Sequence, residues 1–348
     1  MANLPLVLTK LPARLLISGL ALWLLLPLPL LAEESEPMPL ATQSLLLDGQ
    51  VLGGRVVVVG ERGHILVSED DGRSWMQQRV PTRSTLTSVV FVDDNRGWAA
   101  GHDAVILGTS DGGFTWELLY SDPDDERPIL DLWFHDELRG YAVGAYGLFL
   151  GTTDGGRSWT NIPFVPAILA GDDTAPWGEE EPEAFEEVDF HLNQISATPT
   201  GRLYIAAETG HLYRSDDGAR SWVGLPTPYE GSFYGSLPLG RSDLILYGLR
   251  GHLFHSSDAG ITWRELAADS FGTLNDGVVL RDGRIVVAGL AGSLLVSGDR
   301  GQSFRSLPRP DRLGIARILE MSDGTLLLVG EQGVRRVVLA VEEEGGVR

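Results

Sequence analysis

Six aspartates recur in one setting, and their type and spacing could do chemistry. Asp70, Asp111, Asp154, Asp217, Asp258 and Asp299 each follow a serine or threonine by two positions and precede a glycine or alanine by two. Each then leads to a second hydroxyl residue and an aromatic ring: Trp75, Trp116, Trp159, Trp222, Trp263 and Phe304. Carboxylates in this number could ligate calcium or serve as general acids and bases. The local pattern favours a third role. Glycine supplies the positive φ of a tight turn, and the aspartate accepts backbone N–H bonds inside it. The ring opens the following strand and has about 150–250 Å² to bury against a neighbouring sheet. These aspartates and rings are expected to close and anchor hairpins, as structural parts.

A second polar set lies inside apolar strand-like runs. Aligned on the repeat, one column reads Ser88, Asp131, Gln194, Gly235, Asp276 and Arg317. Polar residues among Val, Leu and Ile need hydrogen-bond partners or water, which places this column near a central channel. Asp131 or Asp276 with Arg317 could grip a small ligand; a hydrated structural network is the alternative, and the favoured one. His64, His211 and His252 fall at one position in three separate repeats, too far apart to share a zinc ion. No metal and no cofactor are expected.

The elements that carry these residues are read from the period. The boxed rings lie 41, 43, 63, 41 and 41 residues apart, a spacing of stacked supersecondary units. Within residues 84–120 four short strands are bounded by Asp, Asn and Gly, the pattern of a propeller blade. The turn between second and third strands appears seven times: Gly60–Gly63, Gly101–Ala104, Gly144–Gly147, Ala207–Gly210, Gly248–Gly251, Gly289–Gly292 and Gly330–Gly333. Seven turns against six boxes predict an all-β, seven-bladed propeller of four-stranded blades over 43–341, with 342–348 as a tail. The last unit ends after its third strand, so an N-terminal strand at about 37–42, within segment 33–42, is expected to supply the fourth and close the ring. Variable residues on the turn frame make a candidate binding face, of which Arg62, Asp103, Tyr146 and Arg250 are singled out. The connection at 161–188 is long and acidic: it reads first as a solvated loop, and as the alternative a docking arm over the channel mouth, with Trp177 and Phe185 as apolar anchors.

Composition bounds the partners. The net charge of −21 disfavours nucleic acid and anionic lipid. The absence of cysteine excludes disulfides, thiolate metal sites and a cysteine nucleophile. Lys10 and Arg14 precede an apolar run from Leu15 to Leu31, and Ala32 meets Glu33-Glu34-Ser35-Glu36. That order reads as a secretory signal over 1–32, cut after Ala32, with an uncleaved membrane anchor as the alternative; either way the repeat domain is expected to be exported to a periplasm. A monomer is the expected state.

The boxed phrase resembles the Asp-box, or bacterial neuraminidase repeat, of sialidases and other propellers. In those proteins the box is structural. A sialidase would also need an arginine triad and an early Phe/Tyr-Arg-Ile-Pro segment, and Glu126-Arg127-Pro128-Ile129 has the wrong order. The units Arg96–Trp116 and Arg139–Trp159 resemble the photosystem II assembly and stability factor of cyanobacteria and plastids and its bacterial relatives. That resemblance implies a non-enzymatic propeller, a scaffold or accessory factor for an integral membrane protein complex. Its bacterial branch implies a transporter of the resistance-nodulation-division class. The photosynthetic members dock through a basic patch, which this acidic chain departs from. A glycan-binding or sialidase-like glycoside hydrolase and a periplasmic small-ligand binder are the alternatives.

Overall fold

Apolar residues run consecutively through the second strand of every repeat, as in Val56–Val59, Leu244–Tyr247 and Leu326–Val329. A strand can bury both of its faces only when other sheets stack on each side. The computed structural model describes residues 33–125, 127–168 and 188–339, and it has that arrangement.

Blade one holds strands Leu46–Leu52, Arg55–Gly60, Ile65–Ser68 and Met76–Gln78, each antiparallel to the next. Blades two to six follow the same order, with inner strands Leu86–Phe91, Ile129–Phe134, Leu192–Ala197, Phe233–Pro238 and Leu274–Val279. Blade seven has Ile315–Glu320, Leu326–Gly330 and Gly333–Val337. Each inner strand packs beside that of the next blade, and Ile315–Glu320 packs beside Leu46–Leu52. The seven-bladed all-β ring is therefore as the period predicts.

The core is divided among the seams between blades, one apolar cluster to each adjacent pair. At the closing seam Leu46, Val56, Val58 and Leu66 of blade one meet Leu319, Met321, Leu327 and Val329 of blade seven. Polar donors reinforce the seams by gripping a carbonyl of the next blade's boxed turn. Arg55 Nη1 donates to Gly112 O at 3.4 Å, Trp98 Nε1 to Gly155 O at 2.9 Å, and Tyr141 Oη to Gly218 O at 3.1 Å. Tyr204 Oη donates to Ala259 O at 3.4 Å, and Arg336 Nη1 to Asp71 O across the closing seam. That last contact is joined by Ser322, whose N and Oγ donate to the buried Asp71 carboxylate at 3.1 and 2.7 Å.

Two features correct the expected architecture. Residues 37–42 form no strand: the seventh sheet has three strands among the described residues, and Ala41–Gln43 is a short 3-10 turn against Gly333–Val337. Pro37 and Pro39 lack the N–H groups that a ladder requires. The segment still spans the closing seam as a strap. Ser35 N donates to Val80 O at 2.9 Å and Met38 N to Gln77 Oε1 at 2.7 Å in blade one, and Thr42 O then lies over Gly333 of blade seven. The second feature is a fifth strand in blade four. Ala167–Ile168, at the start of the acidic insertion, pairs in parallel with Val223–Gly224. Phe164 anchors it, with its ring 5.5, 5.0 and 5.8 Å from those of Phe149, Tyr213 and Trp222.

Candidate functional site: the turn face and the axial mouth

The boxed hairpins are closed systems. Asp70 Oδ1 accepts from Ser68 Oγ at 2.8 Å, Arg73 N at 3.0 Å and Ser74 N at 2.7 Å, while Oδ2 accepts from Ser74 Oγ at 2.6 Å. Asp111, Asp154, Asp217, Asp258 and Asp299 repeat this set from their own hydroxyl neighbours. The hydroxyls of Ser158, Ser221 and Ser303 hold the carboxyls of Asp154, Asp217 and Asp299 down to about 2. A carboxylate so occupied by its own turn has little capacity left for substrate or metal. The boxed rings serve the seams: Trp116 and Trp222 are buried, and Trp75, Trp159, Trp263 and Phe304 pack on apolar clusters.

The opposite face carries the glycine turns. Their chain geometry is unusual because the residue before the closing glycine or alanine is left-handed without being glycine. Arg62, Asp103, Tyr146, Thr209, Arg250 and Ala291 have φ of 56°, 57°, 50°, 52°, 57° and 55°. A left-handed L-residue costs roughly 1–2 kcal/mol relative to a relaxed one, so six side chains are held at one position despite their backbone preference. Beneath them the blade-to-blade connections pass close: a Cβ on Gly63, Gly147, Gly210 or Gly251 would fall on the carbonyl oxygen of Thr82, Val188, Tyr229 or Ser270.

Arg62, Asp103, Tyr146 and Arg250 are exposed on this face, in separate turns. Asp103 is partly committed, since Ser84 Oγ donates to its carboxylate at 2.6 Å. Tyr146 is 58% exposed and meets the His191 ring edge-on at 5.1 Å, and His191 N donates to Glu208 Oε2 at 3.0 Å. Two apolar side chains on the same face escape the sequence reading. Phe271, in the connection over Gly251, is 95% exposed, and Leu290 in the sixth turn is 43% exposed. The signal for Phe271 was an aromatic residue in an otherwise polar connection. Trp177 and Phe185 lie outside the described residues, as do residues 1–32 with the expected secretory signal; the described chain stops at Ile168 on the outer edge of blade four and resumes at Val188 on the turn face.

At the axis, the inner strands are bulged at one register in all seven blades. A bulge re-aims the residues on either side of it, here into the channel. The residues just past the bulges latch neighbouring blades together at every seam but that between blades five and six, where the position is Gly235. Asp48 Oδ2 accepts from Val89 N at 2.7 Å, Asp131 Oδ2 from Ile195 N at 3.0 Å, Gln194 Oε1 from Ser236 N at 2.8 Å, and Asp276 Oδ2 from Ile318 N at 2.7 Å. Ser88 Oγ, the link in blade two, donates to Asp131 Oδ1 at 2.9 Å.

Arg317 carries the latch across the closing seam, 3.2 Å from both Asp276 Oδ1 and Asp48 Oδ1. The structure thus brings Asp131, Asp276 and Arg317 together and adds Asp48, which the sequence reading omitted although it lies 40 positions before Ser88, one repeat back. Above the latch a cavity of about 110 Å³ is lined by Thr87, Asn193, Tyr234 and Asn275 along with these charges.

Three carboxylates share one guanidinium here. Burial, and the neighbouring Asp48 carboxylate, push Asp131 up to about 7. A group whose folded pKa lies above its unfolded value of 3.8 contributes stability fully below that value and loses it as pH rises through the folded one. Unfolding free energy is therefore expected to fall by about 1–2 kcal/mol between pH 6 and pH 8. Asp131→Asn is expected to flatten that slope in denaturant titrations, and an unchanged slope would contradict the assignment. Among the described residues no group of three or more His, Asp or Glu side chains is placed to hold a metal ion.

With this geometry in view, the chain matches the family described as photosynthesis system II assembly factor YCF48 over residues 67–175 and 124–286. It is 37% identical over 59 residues to the photosystem II assembly protein Ycf48 of Thermosynechococcus vestitus, covering 16% of this chain and 17% of the relative. It is 36% identical over 78 residues to the chloroplastic photosystem II stability/assembly factor HCF136 of Cyanidioschyzon merolae, covering 21% and 18%. The aligned stretches thus span less than a fifth of either relative's length. A solved structure described as YCF48 bound to D1 peptide superposes with a TM-score of 0.66 at 19% identity, over 88% of this chain and 97% of that one, a likeness of fold.

Proposed function

We propose, because this chain belongs to the photosynthesis system II assembly factor YCF48 family, that it is an exported, non-catalytic escort for an integral membrane protein. The ring holds a rigid face against a segment of its client that emerges from the membrane. A transporter of the resistance-nodulation-division class is the first candidate client.

One observation carries the reading: side chains of different chemistry stand at one strained position on six consecutive turns of a single face. Strain kept at surface positions, where glycine would be easier, points to a use for the side chains. The repeated carboxylates, by contrast, are absorbed by their own hairpins or by the blade latches. A propeller described with a peptide bound supports the idea that this fold takes a segment of another protein. Arg62, Tyr146 and Arg250, with the exposed Phe271, supply the anchor types that dominate protein interfaces.

The test is affinity capture from detergent-solubilised native membranes, with the tagged exported domain as bait. An integral membrane protein recovered in stoichiometric amount is expected. Recovery of soluble proteins alone, or turnover of a glycan library by the pure protein, would replace this reading.

A further inference from the structure

Six blades have a fourth strand, and the seventh does not among the described residues. Gly333–Val337 pairs on one side with Leu326–Gly330, and its other edge faces a groove of about 840 Å³. The far wall of the groove is the boxed turn of blade one, Gly72 to Trp75, and Thr42 and Gln43 of the strap stand at its end. Trp75 and Val334, both packed on the closing apolar seam, supply its apolar lining.

We propose that this groove is a strand-acceptor site, in which an extended acidic segment of a partner protein pairs with Gly333–Val337 and completes blade seven. An unpaired edge offers its free N–H and C=O groups to any extended chain. Five residues of strand at roughly 3.3 Å each give an edge about 17 Å long, enough to set a register.

Charge selects the occupant. In a chain of net charge −21 the groove lining contains Arg73 and Arg335 and no carboxylate. Both arginines are held from outside the groove, Arg73 by Asp323 at 3.1 Å and Arg335 by Asp311 at 2.7 Å, which fixes their position beside the edge. A second copy of this chain is a poor occupant, because a two-fold pairing of the edge would set the Arg335-Arg336 pair against its own mate. The strap cannot fill the slot, since Pro37 and Pro39 interrupt its donors. This surface lies on the outer wall and is independent of the turn-face reading.

The probe is a fluorescein-labelled peptide of about eight residues alternating valine and glutamate, with a valine–lysine counterpart, added to the full exported chain. Hydrogen exchange and fluorescence anisotropy are the readouts. The acidic peptide is expected to slow exchange within 333–337 by about tenfold or more, and the lysine peptide to bind at least about tenfold more weakly. Arg73→Gln with Arg335→Gln is expected to weaken the acidic peptide about fivefold or more; Gln43→Glu, which touches neither ion pair, is expected to act in the same direction.

Absence of protection within 333–337, or equal binding of the two peptides, would overturn the proposal. So would an edge already protected in the free chain and released by truncation after Leu339, which would assign the slot to residues 340–348. Protection that appears only with a dimer in sedimentation would assign it to a second copy.

Discussion

Trp98→Ala is expected to cost about 3–5 kcal/mol of unfolding free energy, the range for emptying a buried tryptophan site. The indole is 2% exposed and stacks on Phe134 with ring centroids 3.6 Å apart. Its Nε1 also donates to Gly155 O, so the truncation removes packing and leaves a carbonyl of the third boxed turn without its donor. Loss on this scale is a large part of the 5–15 kcal/mol that a typical domain has. Trp98→Phe keeps a ring against Phe134 and loses the donor, and is expected to cost about 1–3 kcal/mol. The gap between the two variants in guanidinium titrations separates seam packing from the turn grip. Equal, small losses would mean that the seams do not hold the ring as described.

Arg317→Met should show a defect that grows with pH. The guanidinium stands between Asp48 and Asp276 and is the one cation among the latch residues. Its removal leaves buried carboxylates facing each other without compensation, a loss of about 3 kcal/mol at pH 8. At pH 5.5 the loss should be smaller, because burial already raises the pKa of Asp48 and Asp276, and both can take up protons. The sign follows from linkage: raised carboxyl pKa values put stability at the acid end and withdraw it as pH rises. A variant that melts equally far below the wild type at both pH values would show that Arg317 acts through packing.

Much of the ring is legible in the chain because its local rules are strict. The boxed turns and glycine turns need specific φ values and acceptors, and such positions leave the same residues behind in every repeat. The axial latch is legible only in part. Asp131, Asp276 and Arg317 stand out as charges among apolar neighbours, yet Asp48 hides between Leu47 and Gly49 until the period is carried back one repeat.

Features set by neighbours leave weaker marks. The two-residue strand Ala167–Ile168 exists because Phe164 wedges into blade four, which nothing at 167 and 168 announces. The closing strap is legible in place and not in form, since a count of strands says one is missing while Pro37 and Pro39 say this segment cannot be it. The left-handed side chains of the turn face are likewise hidden, because arginine, tyrosine and threonine do not advertise positive φ.

That last property gives the most direct test of the docking face. Glycine is the residue best suited to a left-handed position, so Arg62→Gly, Tyr146→Gly and Arg250→Gly remove three side chains without disturbing their turns. The triple variant is expected to melt within about 2 °C of the wild type while recovering at least about tenfold less integral membrane protein from solubilised membranes. Undiminished recovery by an equally stable variant would contradict the assignment of the turn face as the surface that meets the client.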